Sequence, residues 1–280
     1  MADQLPRSTY IPAAGFELHV TEWGDRANPP LVMWHGLART GRDFDEAARA
    51  LSDTFFVVCP DTIGRGLSGW ARDPADYSYA SYGATAIAML DHYGIERVRW
   101  VGTSMGGLLG MVLAADILKG RITHLVINDV GPEISGAGLA RIVDYVGNPP
   151  VFDTVCEFEA WLRAVYAPFG TNDDAFWSRM ADTSMRRTDD GRVTVHYDPR
   201  IVDPLKGQTG DFDIWPVYDA ISAPTLLLRG ATSDLLSADT AEAMTKRGPK
   251  PRLVTIDGYG HAPTLTSAEE IALLRGFLKN

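Results

Sequence analysis

A series of short apolar runs constrains this chain more than any other feature. They are "PLVMW" (30–34), "FFVVCP" (55–60), "RVRWVG" (97–102), "HLVIND" (124–129), "TLLLRG" (225–230) and "RLVTID" (252–257). A strand with one wet face alternates apolar and polar residues. Strands that run apolar throughout are buried on both faces, which happens in parallel sheets sandwiched by helices. Helical segments separate most of these runs, so the pattern predicts an α/β fold with a mostly parallel sheet. A chain of 280 residues, 45% of them hydrophobic, can bury such a core.

An earlier run, "FELHVTEW" (16–23), does alternate and reads as an exposed antiparallel strand. Helices are expected over 43–52, where Phe44, Ala47, Ala48 and Leu51 share a stripe, and over 78–94, ending at Gly94. Another should run from just after Ser104 to about Lys119, and a last one over 267–280, opened by Ser267 with Glu270 three residues on. The alternation breaks between about Gly131 and Pro216, with "GPEISGAG" before the break and "IWPVYDAISAP" after it. Two amphipathic segments lie inside, 154–165 and 173–185, and three of the seven tryptophans fall in this region. Residues 132–216 therefore read as a mainly helical cap inserted into a core made of 1–131 and 217–280.

A formal charge of −10 repels nucleic acid and anionic lipid and excludes neither neutral nor charged small molecules. The two cysteines, Cys59 and Cys156, have neither metal-site nor redox-motif spacing. Two free thiols, no membrane-length apolar run and no signal-peptide pattern in "MADQLPRSTYIPAAG" predict a cytoplasmic protein with a small-molecule partner.

The chemistry centres on "WVGTSMGGLLG", Trp100 to Gly110. Ser104 directly follows a buried strand and precedes a helix, with Gly102 and Gly106 two residues to either side. A nucleophile on so tight a turn needs small neighbours at those places, and the helix start offers free N–H groups to a developing anion. A packing role for these glycines is the competing explanation, and Gly107 and Gly110 fit it. A serine needs a base. Of six histidines, His261 alone sits in a Gly-flanked loop, "DGYGHAPTL", past the last buried strand. The imidazole needs an acid. Asp234 in "LLLRGATSDLL" is preferred, with Asp129 in "VINDVGPEI" as the alternative. The Met105 and Leu37 N–H groups can form an oxyanion hole, the latter after the His35–Gly36 turn, whose histidine is read as a brace rather than a base. Trp161 and Trp177 are candidate substrate-lining residues from the cap. "GRGLSG" (64–69) matches a dinucleotide-binding pattern, but "WARDPADYS" follows it instead of a helix, so a nucleotide site is not expected.

Taken together and in this order, "HGLART", "PDTIGRGLSG", "GTSMGG", "GATSD" and "GHAPTL" resemble the α/β-hydrolase family over nearly the whole chain. The resemblance implies an eight-stranded sheet, a cap inserted after the sixth strand, and an acyl-enzyme mechanism with no cofactor or metal. "GHAP" is similar to small serine carboxylesterases. Haloalkane dehalogenases and epoxide hydrolases carry Asp where this chain has Ser104. Enzymes cleaving carbon–carbon bonds of ring-cleavage products (dienol-diketone acids) share the serine, but Leu37-Ala38-Arg39 and Ala262 depart from their motifs. Cofactor-free perhydrolases and acyltransferases share the triad. The expected activity is hydrolysis of a small or medium carboxylic ester or lactone.

Overall fold

In the computed structural model, which describes residues 5–207 and 212–280, one sheet organises the chain. Residues 1–4 of the N-terminal stretch and 208–211 of the expected cap lie outside the described residues. The strands are β1 (Arg7–Ala13), β2 (Phe16–Trp23), β3 (Pro30–Trp34), β4 (Phe56–Pro60), β5 (Val98–Thr103), β6 (Ile122–Asn128), β7 (Thr225–Gly230) and β8 (Arg252–Ile256). Their spatial order is β1-β2-β4-β3-β5-β6-β7-β8. From β4 to β8 every neighbouring pair is parallel, while β2 pairs antiparallel with both β1 and β4. The α/β class read from the sequence pattern and the eight strands implied by the family resemblance are therefore present.

Alternate residues of the central strands feed two separate cores. Leu31 and Met33 of β3, with Val101, Val126, Leu226 and Leu228, meet the helices α1 (Asp45–Leu51) and α9 (Ala268–Leu278) on one face. Val32 and Trp34, with Trp100, Leu125 and Ile127, meet α2 (Tyr79–His92) and α3 (Met105–Ala115) on the other. This two-sided burial is why the strands read as continuous apolar runs. Trp34 and Trp100 stack across β3 and β5 with ring centroids 5.3 Å apart.

Two sequence expectations need correction. β2 is antiparallel but not exposed: Leu18 to Trp23 are all buried. Its polar residues are satisfied internally, His19 against Asp61 and Ser8, and Glu22 against Arg7, Arg26 and Tyr93. Alternation there records buried hydrogen bonding, not solvent. α3 stops at Ala115, four residues short of Lys119. α1 begins at Asp45, after a 3₁₀ turn over Gly41–Phe44. α9 is opened by a full capping box from Ser267 and Glu270. Residues 64–69 are loop, and only a short 3₁₀ turn, Pro74–Asp76, comes before α2.

The chain leaves the sheet after β6 and returns at β7. Glu133–Ile134 pairs antiparallel with Phe212–Asp213 and closes the excursion at its neck. Between them lie α4 (Gly136–Gly147), α5 (Val155–Val165) and α6 (Asp174–Ser184). A three-stranded sheet of Val151–Phe152, Val193–Val195 and Met185–Arg187 completes the segment. Strands of two or three residues are too short for periodicity to show. After the excursion, α7 (Trp215–Asp219) precedes β7, and α8 (Ala238–Met244) lies between β7 and β8. Both cysteines are free thiols, Cys59 buried and Cys156 exposed. Among the described residues no helix is long and apolar enough to cross a membrane.

Candidate active site

The turn from β5 into α3 is held by close approach of backbone to backbone. A Cβ on Gly102 would sit 2.1 Å from the Gly106 carbonyl oxygen, and one on Gly106 would sit 2.1 Å from that of Trp34. Only hydrogen fits at either place. The crowding forces Ser104 to φ +52° and ψ −117°, a conformation rare for a residue with a side chain. Gly107 and Gly110 instead face side chains, Val130 and Trp100 respectively, so their small size lets α3 settle on the sheet. The Ser104 N–H donates to the Asn128 carbonyl at 2.9 Å, which ties the turn to the end of β6.

Three sheet ends then meet at the serine hydroxyl. His261, in the loop after β8, places Nε2 2.9 Å from Ser104 Oγ. Its Nδ1 lies 2.8 Å from Asp129 Oδ2. Asp129 directly follows β6, is completely buried and sits at φ +58°. Its carboxylate also accepts from the Gly230 N–H at 2.8 Å and the Ser233 hydroxyl at 2.7 Å. A carboxylate so fixed holds the imidazole with Nδ1 protonated and Nε2 free to take the serine proton.

Asp234, the acid preferred from sequence, is not at His261. Its carboxylate points outward, 53% exposed, and pairs with Arg141 of α4 at 2.5 Å. Hydrogen bonding from that guanidinium holds its carboxyl below the usual range. The loop after β7 does reach the acid, but through the neighbouring Ser233, which turns its hydroxyl inward to Asp129. Of the two carboxylates weighed from sequence, the alternative, Asp129, is the one beside His261, and Asp234 lies at the surface.

Asn128 was not singled out from sequence. It is fully buried, and its amide donates to Thr103 Oγ1 at 3.0 Å and to the Pro263 carbonyl at 2.9 Å. It therefore couples the serine turn to the histidine loop. An asparagine ending an apolar strand in "VIND" was the available signal.

Leu37 and Met105 flank Ser104, and both line the cavity above it. Among the described residues neither backbone N–H has an acceptor in the protein. His35 is completely buried, and its Nδ1–H donates to the Gly36 carbonyl at 2.7 Å while Nε2 accepts from the Thr62 N–H at 2.9 Å. That grip orients the Gly36–Leu37 peptide, whose N–H is the Leu37 donor. Burial pushes the His35 imidazole down to about 4, so it is neutral near pH 7.

The cavity holds about 220 Å³. It is walled by Tyr79 and Tyr82 from α2, Leu139 and Ile142 from α4, and Ile201 and Leu205 from the segment before the neck. Among the described residues its lining contains no Asp, Glu, Lys, Arg or His. Trp161 and Trp177 do not line it. Trp161 packs on Phe158 and Phe152, and Trp177 is buried against Phe176 under Arg163. Each serves the internal core of the inserted segment, which is what absorbs most large aromatics in a small helical layer.

A strand order of this kind, with a strained serine between β5 and its helix, defines a hydrolase framework. The chain belongs to the alpha/beta hydrolase fold family, whose profile matches residues 29–268, and it is a hydrolase. It is 38% identical over 276 residues to the 3-hydroxybutyrate-oligomer hydrolase of Cupriavidus necator, covering 95% of this chain and 94% of that relative. An α/β hydrolase structure from Novosphingobium aromaticivorans shares 40% identity and a TM-score of 0.87, over 100% of this chain and 99% of that one. A solved structure from Rickettsia typhi superposes with a TM-score of 0.91 at 29% identity, over 98% and 99% of the two chains.

Proposed function

We propose that this protein is a serine ester hydrolase acting through an acyl-enzyme on Ser104, with short aliphatic oligoesters of hydroxy acids as its substrate class. The observation that carries the reading is the hydrogen-bonded row Ser104–His261–Asp129 opening onto an uncharged apolar cavity. The similarity to a 3-hydroxybutyrate-oligomer hydrolase over nearly the full length of both chains supports the substrate class.

In the proposed cycle Ser104 Oγ attacks the ester carbonyl carbon as its proton passes to His261 Nε2. The carbonyl oxygen becomes an oxyanion between the Leu37 and Met105 N–H groups, which is where preorganised donors contribute most. The tetrahedral intermediate collapses, the carbon–oxygen bond to the alcohol breaks, and His261 returns the proton to the leaving alkoxide. Water then attacks the acyl carbon, again giving its proton to His261. The serine regains that proton as the acid departs. Asp129 keeps its hydrogen bond to His261 Nδ1 and stabilises the imidazolium.

Residues 132–216 serve as the cap, and α4 with the segment around Ile201 shapes the substrate space. An ionised group inside an uncharged wall loses its hydration without a partner. The moiety held in the cavity is therefore neutral, and the free carboxylate of an oligomer stays outside. Two free thiols support a cytoplasmic setting for this chemistry.

The test compares kcat/KM for neutral aryl esters of increasing chain length, 3-hydroxybutyrate dimer and trimer, an aryl monoester of succinate, and a dienol-diketone ring-cleavage acid. Turnover of neutral esters and oligomers above the succinate ester is expected. Turnover of the ring-cleavage acid far above every ester would overturn the reading in favour of carbon–carbon hydrolysis.

A further inference from the structure

Arg65 lies in the loop between β4 and α2 and is fully buried, a costly place for a charge. Among the described residues no carboxylate pairs with it at salt-bridge distance. Its guanidinium instead donates from Nε to the Leu37 carbonyl at 2.9 Å, and from Nη1 to the Ile63 carbonyl and the Tyr82 hydroxyl, both at 2.8 Å. Nη2 lies 3.6 Å from Met105 Sδ. The charge also sits over the rings of Tyr82 and Tyr77, at 5.0 and 5.7 Å from their centroids. Leu37, Tyr82 and Met105 line the cavity, whereas Arg65 does not. The cation is thus sealed behind the wall of the site.

We infer that Arg65 is a positioning residue for the oxyanion hole, a reading that rests on the proposed ester-hydrolase function. Leu37 is joined to its neighbours by two peptides. His35 grips the first through the Gly36 carbonyl, and Arg65 grips the second through the Leu37 carbonyl. Both soft dihedrals of Leu37 are fixed between these grips, so its N–H is aimed before substrate arrives. The same guanidinium abuts the side chain of Met105, the residue bearing the other donor. The planar fork of arginine reaches several acceptors at once, which a lysine ammonium on a flexible stem cannot reproduce.

The experiment measures kcat and KM for an aryl ester in wild type, Arg65→Lys, Arg65→Met and Tyr82→Phe. Each kcat is expressed per site titrated with a fluorophosphonate, so that loss of folded protein does not count as loss of rate. An alkyl boronic acid, which forms a tetrahedral adduct on serine, and a non-reactive ketone-free ether isostere of the ester are bound in parallel. Both Arg65 variants should lose about 10- to 100-fold in kcat, less than deletion of a donor, with KM within about threefold. Boronate affinity should fall in step with kcat while affinity for the ether isostere holds. Tyr82→Phe, which removes one of the acceptors of Arg65 and keeps the ring, should show the same split more weakly.

Unchanged kcat per titrated site in the arginine variants overturns the inference. So does equal weakening of boronate and ether. If neither arginine variant yields titratable protein, Tyr82→Phe decides, and an unchanged kcat there overturns it. Failure of the ester-hydrolase reading itself shows differently, as absence of ester turnover in the wild type.

Discussion

Replacing Asp129 by asparagine tests which carboxylate serves His261, and the structure gives the outcome in some detail. Asp129 Oδ2 accepts from both His261 Nδ1 and Ser233 Oγ, while Oδ1 accepts from the Gly230 N–H. In Asp129→Asn the amide oxygen best serves Gly230, because a backbone N–H there cannot become an acceptor. The amide NH₂ then faces His261 Nδ1 and forces the proton onto Nε2. That tautomer cannot accept the serine proton. In such a triad the loss is about 10⁴-fold in kcat, or roughly 5 kcal/mol of transition-state stabilisation. Asp234→Asn removes only an exposed ion pair with Arg141, worth about 0–1 kcal/mol, and should leave kcat within about threefold. Steady-state hydrolysis of an aryl acetate near pH 7.5, with melting temperatures of both variants in hand, provides the comparison. A larger kcat loss in Asp234→Asn than in Asp129→Asn would refute the assignment.

Further expectations concern stability and shape. His35 falls from 6.5 to about 4 on burial, so its contribution to stability is fully present above pH 6.5 and is lost as pH falls toward 4. The loss amounts to roughly 3 kcal/mol, and chemical denaturation across that range should flatten by up to one proton in His35→Gln. Gly106→Ala drives a Cβ into the Trp34 carbonyl and should cost more than about 3 kcal/mol or prevent folding, read from expression and melting temperature. Trp177→Ala, which empties a buried aromatic site, should cost about 3–5 kcal/mol while KM of the folded fraction stays within about twofold.

Much of this architecture was legible because burial on two faces leaves a direct mark in the sequence. The strands ending at Trp34, Pro60, Gly230 and Ile256 lie within the runs that announced them, while the one ending at Thr103 extends a residue past its run and the one ending at Asn128 starts two residues before its run. β1 escaped notice: "RSTYIPA" is an edge strand with most of its first residues exposed, so it carries no apolar run. The serine turn was legible because sterics leave few alternatives to glycine at 102 and 106. The acid was harder. Both Asp129 and Asp234 follow buried strands, and which carboxylate turns inward depends on neighbours from other elements. Gly230 and Ser233 offer hydrogen bonds to Asp129, and Arg141 draws Asp234 outward. Cavity-lining residues of the inserted segment were least legible, because Leu139, Ile142 and Ile201 are the same residue types as fill any helix core and meet the cavity only through tertiary placement. Trp161 and Trp177 stood out by size, and size favoured the interior of the segment.

In the proposed cycle Ser104 carries the acyl group between two half-reactions. Rapid-quench intact mass spectrometry with a slowly deacylated aryl ester detects that intermediate. A burst of about one phenol per site and an acyl mass adduct mapping to the peptide that contains Ser104 are expected in the wild type, and neither in Ser104→Ala. Steady turnover with no adduct on that peptide, or an adduct and burst that persist in Ser104→Ala, would contradict that cycle.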